Sequence, residues 1–291
     1  MGKFEGYLIC SDCDGTLTDS TGQLSEKNAE AIRYFQEEGG LFTVSTGRFP
    51  RHILNFKEKF WPNTYQVVGN GTTIYDADNE RMLHHVVLDP PPREVLEFMV
   101  EEGLCDLVYV DHMTYSDNWM RPGSPMGKTW DNQRKLTHDL EDLFQDNPDL
   151  AVQEPWHKIN FVFTVPEDCV RVQHIMQEKF PQYRFERSWA TGMELLPMDG
   201  GKGPAVEKLR EILGGKEKIH TIIGVGDYEN DVSMLEMADI GYAVSNATEL
   251  CLRAADRITV SNNENAIAVI IDELEAEIEA AQAAGKEEKL I

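Results

Sequence analysis

Two aspartates one residue apart, Asp12 and Asp14, follow the apolar run Tyr7-Leu-Ile-Cys10. Such a run reads as a strand buried on both faces. Gly15 can adopt the backbone of a sharp turn, so both carboxylates stand where a buried strand ends, the place where open α/β sheets bind ligands. A carboxylate there can attack phosphorus and form an aspartyl-phosphate while its neighbour moves protons. Three further groups fit the same chemistry: Thr46-Gly47, Lys202, and Asp227 with Asn230 and Asp231. Phosphoryl transfer needs a positioned nucleophile, an acid/base, a magnesium ion, and donors that absorb charge on the equatorial oxygens. Asp12 supplies the nucleophile, and Asp227 can join it on Mg²⁺, which prefers a few carboxylates and keeps several waters. Thr46 offers a hydroxyl and neighbouring backbone N–H groups, Lys202 a fixed cation, and Asn230 an amide donor at a helix start. Asp12, Asp14, Asp227 and Asp231 bring four negative charges against one positive charge on Lys202. Converging without a divalent ion, they would repel or take up protons.

Taken singly, each piece has a plainer reading. Thr46-Gly47 is a turn after a strand, Lys202 a solvated helix residue, and Asp227 to Asp231 an acidic helix cap. Arg48 reads as a salt-bridge partner rather than a catalytic group. The combination, in this order and at sheet ends, is what points to phosphate. Two rival glycine motifs fail on their residues. A P-loop ending at Lys202 needs glycine where Leu196 stands and Ser or Thr where Gly203 stands. Gly224-Val-Gly226-Asp-Tyr-Glu229 has glutamate where a dinucleotide fingerprint needs its third glycine.

The elements that must position these groups alternate. Ser25 caps a helix with Ala29, Ile32 and Phe35 on one side, stopped by Gly39-Gly40. Leu41 to Ser45 is a second strand. Pro50 starts a helix with Ile53, Leu54 and Phe60 inward, and Tyr65 to Gly69 is a third strand. Strand–helix–strand–helix–strand is the signature of a parallel sheet with right-handed crossovers. The rhythm then breaks. Thr72 to Tyr75 and Met82 to Leu88 form a hairpin, Arg93 to Glu102 a helix, and Asp106 to Tyr115 a strand. Asp117 to Arg134 carries no pattern, Leu136 to Phe144 is helical, Ile159 to Val165 a strand, and Cys169 to Phe180 a helix. Tyr183 to Ser188 alternates as a half-exposed strand. The α/β rhythm resumes with a helix from Lys202 to Leu213, strands at Thr221 to Val225, Ile240 to Val244 and Ile258 to Val260, and a last helix from Asn265. The fold class is therefore α/β: a Rossmann-like parallel-sheet core, residues 1–84 and 191–291, with an α+β cap domain inserted at 85–190.

Composition bounds the partners. A chain of 291 residues, 41% hydrophobic and 27% charged, is an ordinary soluble protein with a sizeable core. Fifty-one acids against 27 bases give a formal charge of −24, which disfavours nucleic acid and anionic membrane and suits cation binding. Five cysteines, an odd number, suit a reduced cytoplasmic interior. Cys10 and Cys13 stand at CxxC spacing, but the Asp12 between them and the buried strand argue against zinc. No charged-then-apolar leader opens the sequence, and no apolar run approaches the ~20 residues of a membrane span.

Asp12-Cys-Asp14-Gly-Thr, Ser45-Thr-Gly-Arg48, Asn70-Gly71, Glu194-Leu-Leu-Pro197, Lys202 and Gly226-Asp-Tyr-Glu-Asn-Asp231 together resemble the haloacid dehalogenase-like superfamily. Within it they are similar to the Cof-type sugar phosphatases, which carry a large α/β cap inserted after the third core strand. The resemblance covers the core; over the cap it rests on insertion point and size. It implies Asp12 as nucleophile and Asp14 as general acid/base. Mg²⁺ would sit on Asp12, the Asp14 carbonyl and Asp227, with Asp231 supporting. Phosphate would be held by the Cys13 backbone N–H, Thr46, Gly47, Lys202 and Asn230, and the substrate would be a small phosphorylated metabolite such as a sugar phosphate. Cys13 replaces a common bulky apolar residue and reads as a core thiol turned away from the site. Tyr228 and Glu229 stand where smaller or neutral residues are common.

Two rivals share the site chemistry. A sugar phosphomutase of the same fold returns the phosphoryl group to substrate, and a sugar bisphosphate requirement would reveal it. A phosphoacceptor or binding protein without turnover needs neither the general acid Asp14 nor a lid.

Overall fold

Leu8, Ile9 and Cys10 are fully buried in β1 (Tyr7–Ser11), an inner strand of the parallel core sheet. The computed structural model describes residues 2–50, 59–128, 136–145 and 153–288. The Ser25 hydroxyl accepts from the Asn28 N–H and so opens α1 (Glu26–Glu37), whose Ala29, Ile32 and Phe35 are buried. β2 (Leu41–Val44) runs parallel to β1, with Ser11 opposite Val44. The helix read from Pro50, with Ile53 and Leu54, lies outside the described residues; Phe60 stacks edge-on against Phe42 in the core.

The third strand departs from the parallel pattern. β3 (Gln66–Val68) touches the core sheet through a parallel bridge, Ser45 opposite Val67. It then runs antiparallel to β4 (Thr73–Asp76), which pairs β5 (Arg81–His85), making a separate three-stranded sheet. Gly69, Asn70 and Gly71, all at positive φ, turn the chain after three residues, too soon for a full ladder with β2.

A second sheet follows, flanked by α2 (Arg93–Glu101). The stretch read as one strand from Asp106 to Tyr115 is a hairpin. β6 (Leu107–Asp111) turns at His112 and returns as β7 (Ser116–Met120), in sequence that carried no pattern. The helix expected over Leu136 to Phe144 is instead β8 (Leu136–Thr137) and a 3₁₀ turn, Leu140–Phe144. Thr137 Oγ1 accepts from the Asp139 N–H and Asp139 Oδ1 from the Glu141 N–H, local bonds that compete with an α-helix. β9 (Lys158–Val162), α3 (Pro166–Lys179), β10 (Tyr183–Trp189) and β11 (Gly192–Pro197) complete a six-stranded sheet in the order β10-β11-β9-β6-β7-β8. Residue 190 lies in the turn between β10 and β11, and β11 remains in this sheet. Val95, Leu96 and Met99 of α2 and Cys169, Val172 and Met176 of α3 cover one face, against Val108, Ile159, Phe161 and Leu195. The other face is turned to the parallel core sheet, across a cleft that both line.

The chain then returns through α4 (Lys202–Ile212), β12 (Thr221–Gly226), α5 (Val232–Met237), β13 (Ile240–Val244), α6 (Glu249–Ala254), β14 (Arg257–Thr259) and α7 (Ala266–Glu288). The core sheet is all parallel, ordered β14-β13-β12-β1-β2. Both its faces are covered, which explains why its strands read as continuous apolar runs. Among the described residues, no helix is long and apolar enough to cross a membrane.

Candidate active site

β1 and β12 lie side by side with Ser11 opposite Val225, so Asp12 and Asp227 leave adjacent strands at the same sheet edge. Thr46 follows β2 at that edge. The chain must turn hard after Asp14, and only glycine serves. Gly15 has φ +81°, and a Cβ there would stand 2.6 Å from Asp227 Oδ2.

Lys202, the first residue of α4, is fully buried, and its Nζ donates at 2.5 Å to both Asp12 Oδ1 and Asp231 Oδ1. Asp231 Oδ2 accepts from the backbone N–H groups of Asp227 and Tyr228, at 3.0 and 3.1 Å. Its carboxylate thus fixes both the lysine and the loop that carries Asp227. The Thr16 hydroxyl donates to Asp227 Oδ1 at 2.7 Å. Burial pushes the Asp12 carboxyl well above the usual carboxylate range; Lys202 opposes this, and Asp231 and Asp227 add to it. Burial, then Asp231, raises Asp227 to about 7, against the Thr16 hydroxyl and Lys202. Lys202 stays protonated because Asp12 and Asp231 outweigh its own burial.

These observations fit a divalent cation. Carboxylate oxygens of Asp12, Asp227 and Asp231 lie within 4.8 Å of one another. Three hard oxygen donors against one ammonium leave negative charge that a magnesium-sized ion would neutralise.

Asp12, Asp14, Thr46, Gly47, Asp227 and Asn230 line one cleft of about 260 Å³, while Cys13, Lys202 and Asp231 stand behind its wall. Arg48 grips the half-exposed Asp14 carboxylate with both arms of its fork, Nε at 2.8 Å and Nη2 at 2.5 Å, a salt bridge as the sequence suggested. The Cys13 side chain is buried in the core cluster, where burial raises its thiol, so it is turned away from the site. Asn230 Nδ2 donates to Asn70 Oδ1 at 3.0 Å, and Asn230 Oδ1 is buried without a hydrogen-bond partner. The Glu229 carboxylate is tied to Arg187 of β10, through Nε at 2.9 Å and Nη2, which leaves Tyr228 at the cleft.

The opposite wall comes from the six-stranded sheet. Cross-strand register sets side chains in rows on its open face: Asp111 beside Lys158, then Tyr109, Asn160 and Glu194, then Leu107 and Val162. Lys158 Nζ donates to Glu194 Oε2 at 2.8 Å and to the Gly47 carbonyl at 3.1 Å, with Asp111 at 3.9 Å. Asn70 Nδ2 donates to the same Glu194 oxygen at 2.6 Å, and the Ser188 hydroxyl to its Oε1 at 2.8 Å. A buried network thus joins the sheet to the Thr46-Gly47 loop and to Asn230. Sequence reasoning assigned Lys158, Asn160 and Asp111 no role. Their signal was polar residues alternating with apolar ones, Lys158 and Asn160 between Ile159 and Phe161, a pattern that reads as an ordinary solvated strand face.

The family model for haloacid dehalogenase-like hydrolases matches residues 9–271. The chain is 26% identical over 294 residues to the 5-amino-6-(5-phospho-D-ribitylamino)uracil phosphatase of Bacillus subtilis, covering 91% of this chain and 97% of the relative. It is 27% identical over 274 residues to the pyridoxal phosphate phosphatase of Escherichia coli K12, with the same coverage, 91% and 97%. In fold it is similar to a subclass IIB sugar phosphatase of the haloacid dehalogenase superfamily, with TM-score 0.74 and 17% identity over 92% of this chain and 98% of that one. With the sheet-end aspartates and the match over nearly its whole length, this chain belongs to the haloacid dehalogenase-like hydrolase family, Cof type, and is a phosphatase within it.

Proposed function

We propose that the protein is a Mg²⁺-dependent phosphatase of small phosphorylated metabolites, sugar phosphates and molecules of similar size, acting in the cytoplasm. The observation that carries this reading is Asp12 at the end of β1, bridged by buried Lys202 to Asp231 and facing Asp227. Asp12 would attack phosphorus in line, and Asp14 would protonate the leaving alkoxide. Asp14 would then take a proton from the water that hydrolyses the Asp12 phosphate. The Arg48 fork keeps the Asp14 carboxylate in place between these two transfers. Asp12, Asp227 and the Asp14 carbonyl would hold the Mg²⁺, with Asp231 supporting, and the ion would supply positive charge to the phosphoryl oxygens. Thr46, Gly47, the Cys13 N–H, Lys202 and Asn230 would bind those oxygens.

Residues 85–190 together with β11 would form a cap that encloses the substrate, since the open face of their sheet supplies the second wall of the cleft. A small cleft walled by two sheets and a charge of −24 favour small anions over polynucleotides and membranes. The activities of the two curated relatives, on a ribitylamino-uracil phosphate and on pyridoxal phosphate, support substrates of that size. The test compares kcat/KM with Mg²⁺ for a panel of small phosphorylated metabolites against a phosphopeptide and a 5′-phosphorylated oligonucleotide. Small phosphates should win clearly; a large substrate that matches the best of them refutes the enclosed-cleft reading.

A further inference from the structure

We propose that Asn160 reads the substrate's organic half, its Oδ1 accepting a hydrogen bond from a hydroxyl of the alcohol being released. Asn160 stands in the middle of the sheet wall that lines the cleft, fully buried. Its orientation is fixed by its other end, since Nδ2 donates to Asp111 Oδ2 at 2.9 Å and to the Tyr109 carbonyl at 3.4 Å. Asp111 is itself held, accepting from the Ser116 hydroxyl at 2.7 Å. The amide cannot turn over without losing these bonds, so Oδ1 is committed, and it is buried with no partner in the protein. Buried side-chain oxygens are almost always satisfied by protein or water, and Oδ1, in the wall of the cleft, is one that a donor entering it would satisfy.

The neighbours narrow that partner to a hydrogen-bond donor, and a hydroxyl group is one that fits. Beside Asn160, Asp111 and Glu194 offer only acceptor oxygens, and Lys158 already donates to Glu194 and Gly47. The wall therefore asks the ligand for donors. Tyr109 and Trp189 line the same cleft and offer flat apolar surfaces, and Leu107 and Val162 extend this side of the sheet. A carbon chain that lays its C–H face on the aromatics and turns a hydroxyl edge to Asn160 satisfies both, as a polyol or sugar does and an alkyl group does not.

The inference rests on the phosphatase reading, and the experiment separates the two. kcat/KM is measured with Mg²⁺ for D-sorbitol 6-phosphate, n-hexyl phosphate and p-nitrophenyl phosphate, in the full-length wild type and in Asn160→Leu. The wild type should prefer sorbitol 6-phosphate over hexyl phosphate by at least about tenfold, the scale set by one buried acceptor left unpaired. Asn160→Leu should erase most of that preference, because its loss falls on the sorbitol ester. Should Asn160→Leu fail to show a cooperative melt, Asn160→Ala carries the same comparison. Equal use of the two esters by the wild type, or a preference that survives substitution, overturns the assignment of Asn160. Failure of the wild type to hydrolyse all three esters overturns the proposed substrate range instead.

Discussion

Removing the charge of Asp227 should stabilise the metal-free protein. Asp227 has an ordinary value of 3.8 and is raised to about 7, chiefly by burial and then by Asp231. The folded state therefore binds a proton that the unfolded chain has released, so stability falls as pH rises between those two values. Ionising the buried group at pH 8 costs on the order of 4 kcal/mol without a metal. Asp227→Asn removes that cost and keeps an oxygen to accept from the Thr16 hydroxyl. In excess chelator at pH 8 the variant should resist urea better than the wild type, by up to about 4 kcal/mol, and melt several degrees higher. At pH 5 the gap should shrink to less than half, since most of the penalty lies above that pH. Added Mg²⁺ should raise the wild-type melting temperature and barely move the variant's. The assay is thermal and urea unfolding at both pH values, with and without the ion. An Asp227→Asn protein that is weaker than wild type in chelator at pH 8, or a gap that does not narrow at pH 5, refutes this account of the acidic cluster.

Two further substitutions probe the machinery. Asp14→Asn should lower kcat by about 10²–10⁴, the worth of a general acid/base. Arg48→Met, which frees the Asp14 carboxylate without removing it, should cost less, as steady-state kinetics on any accepted substrate will measure. Lys158→Met should destabilise by about 3–5 kcal/mol in urea unfolding, because it strands Glu194 as a buried charge, and should raise KM through loss of the bond to the Gly47 carbonyl.

The catalytic half was legible in sequence because parallel strands covered on both faces must be apolar. Tyr7 to Cys10 and Thr221 to Val225 announce themselves, and the aspartates that follow them fall at one sheet edge. Lys202 was legible only as part of the set; alone it resembles any surface helix residue, yet it is fully buried between two carboxylates. β3 misled because three residues and a left-handed turn divert it into a hairpin sheet. The cap was harder for a different reason. Its open face is polar where it lines a cleft, so Lys158 and Asn160 carry the alternation of a solvated strand. Periodicity identifies such a strand but does not say whether its polar side meets water or a substrate.

The central claim is that Asp12 becomes phosphorylated. The protein is mixed with substrate and Mg²⁺ and quenched within a turnover. Borohydride, which reduces an acyl phosphate to an alcohol, is added, and the peptide spanning Tyr7 to Leu17 is sequenced by mass spectrometry. Homoserine at position 12, present only when both substrate and Mg²⁺ were added, is the predicted result. Steady turnover with Asp12 unmodified, or homoserine at position 14 or 227 instead, would contradict it.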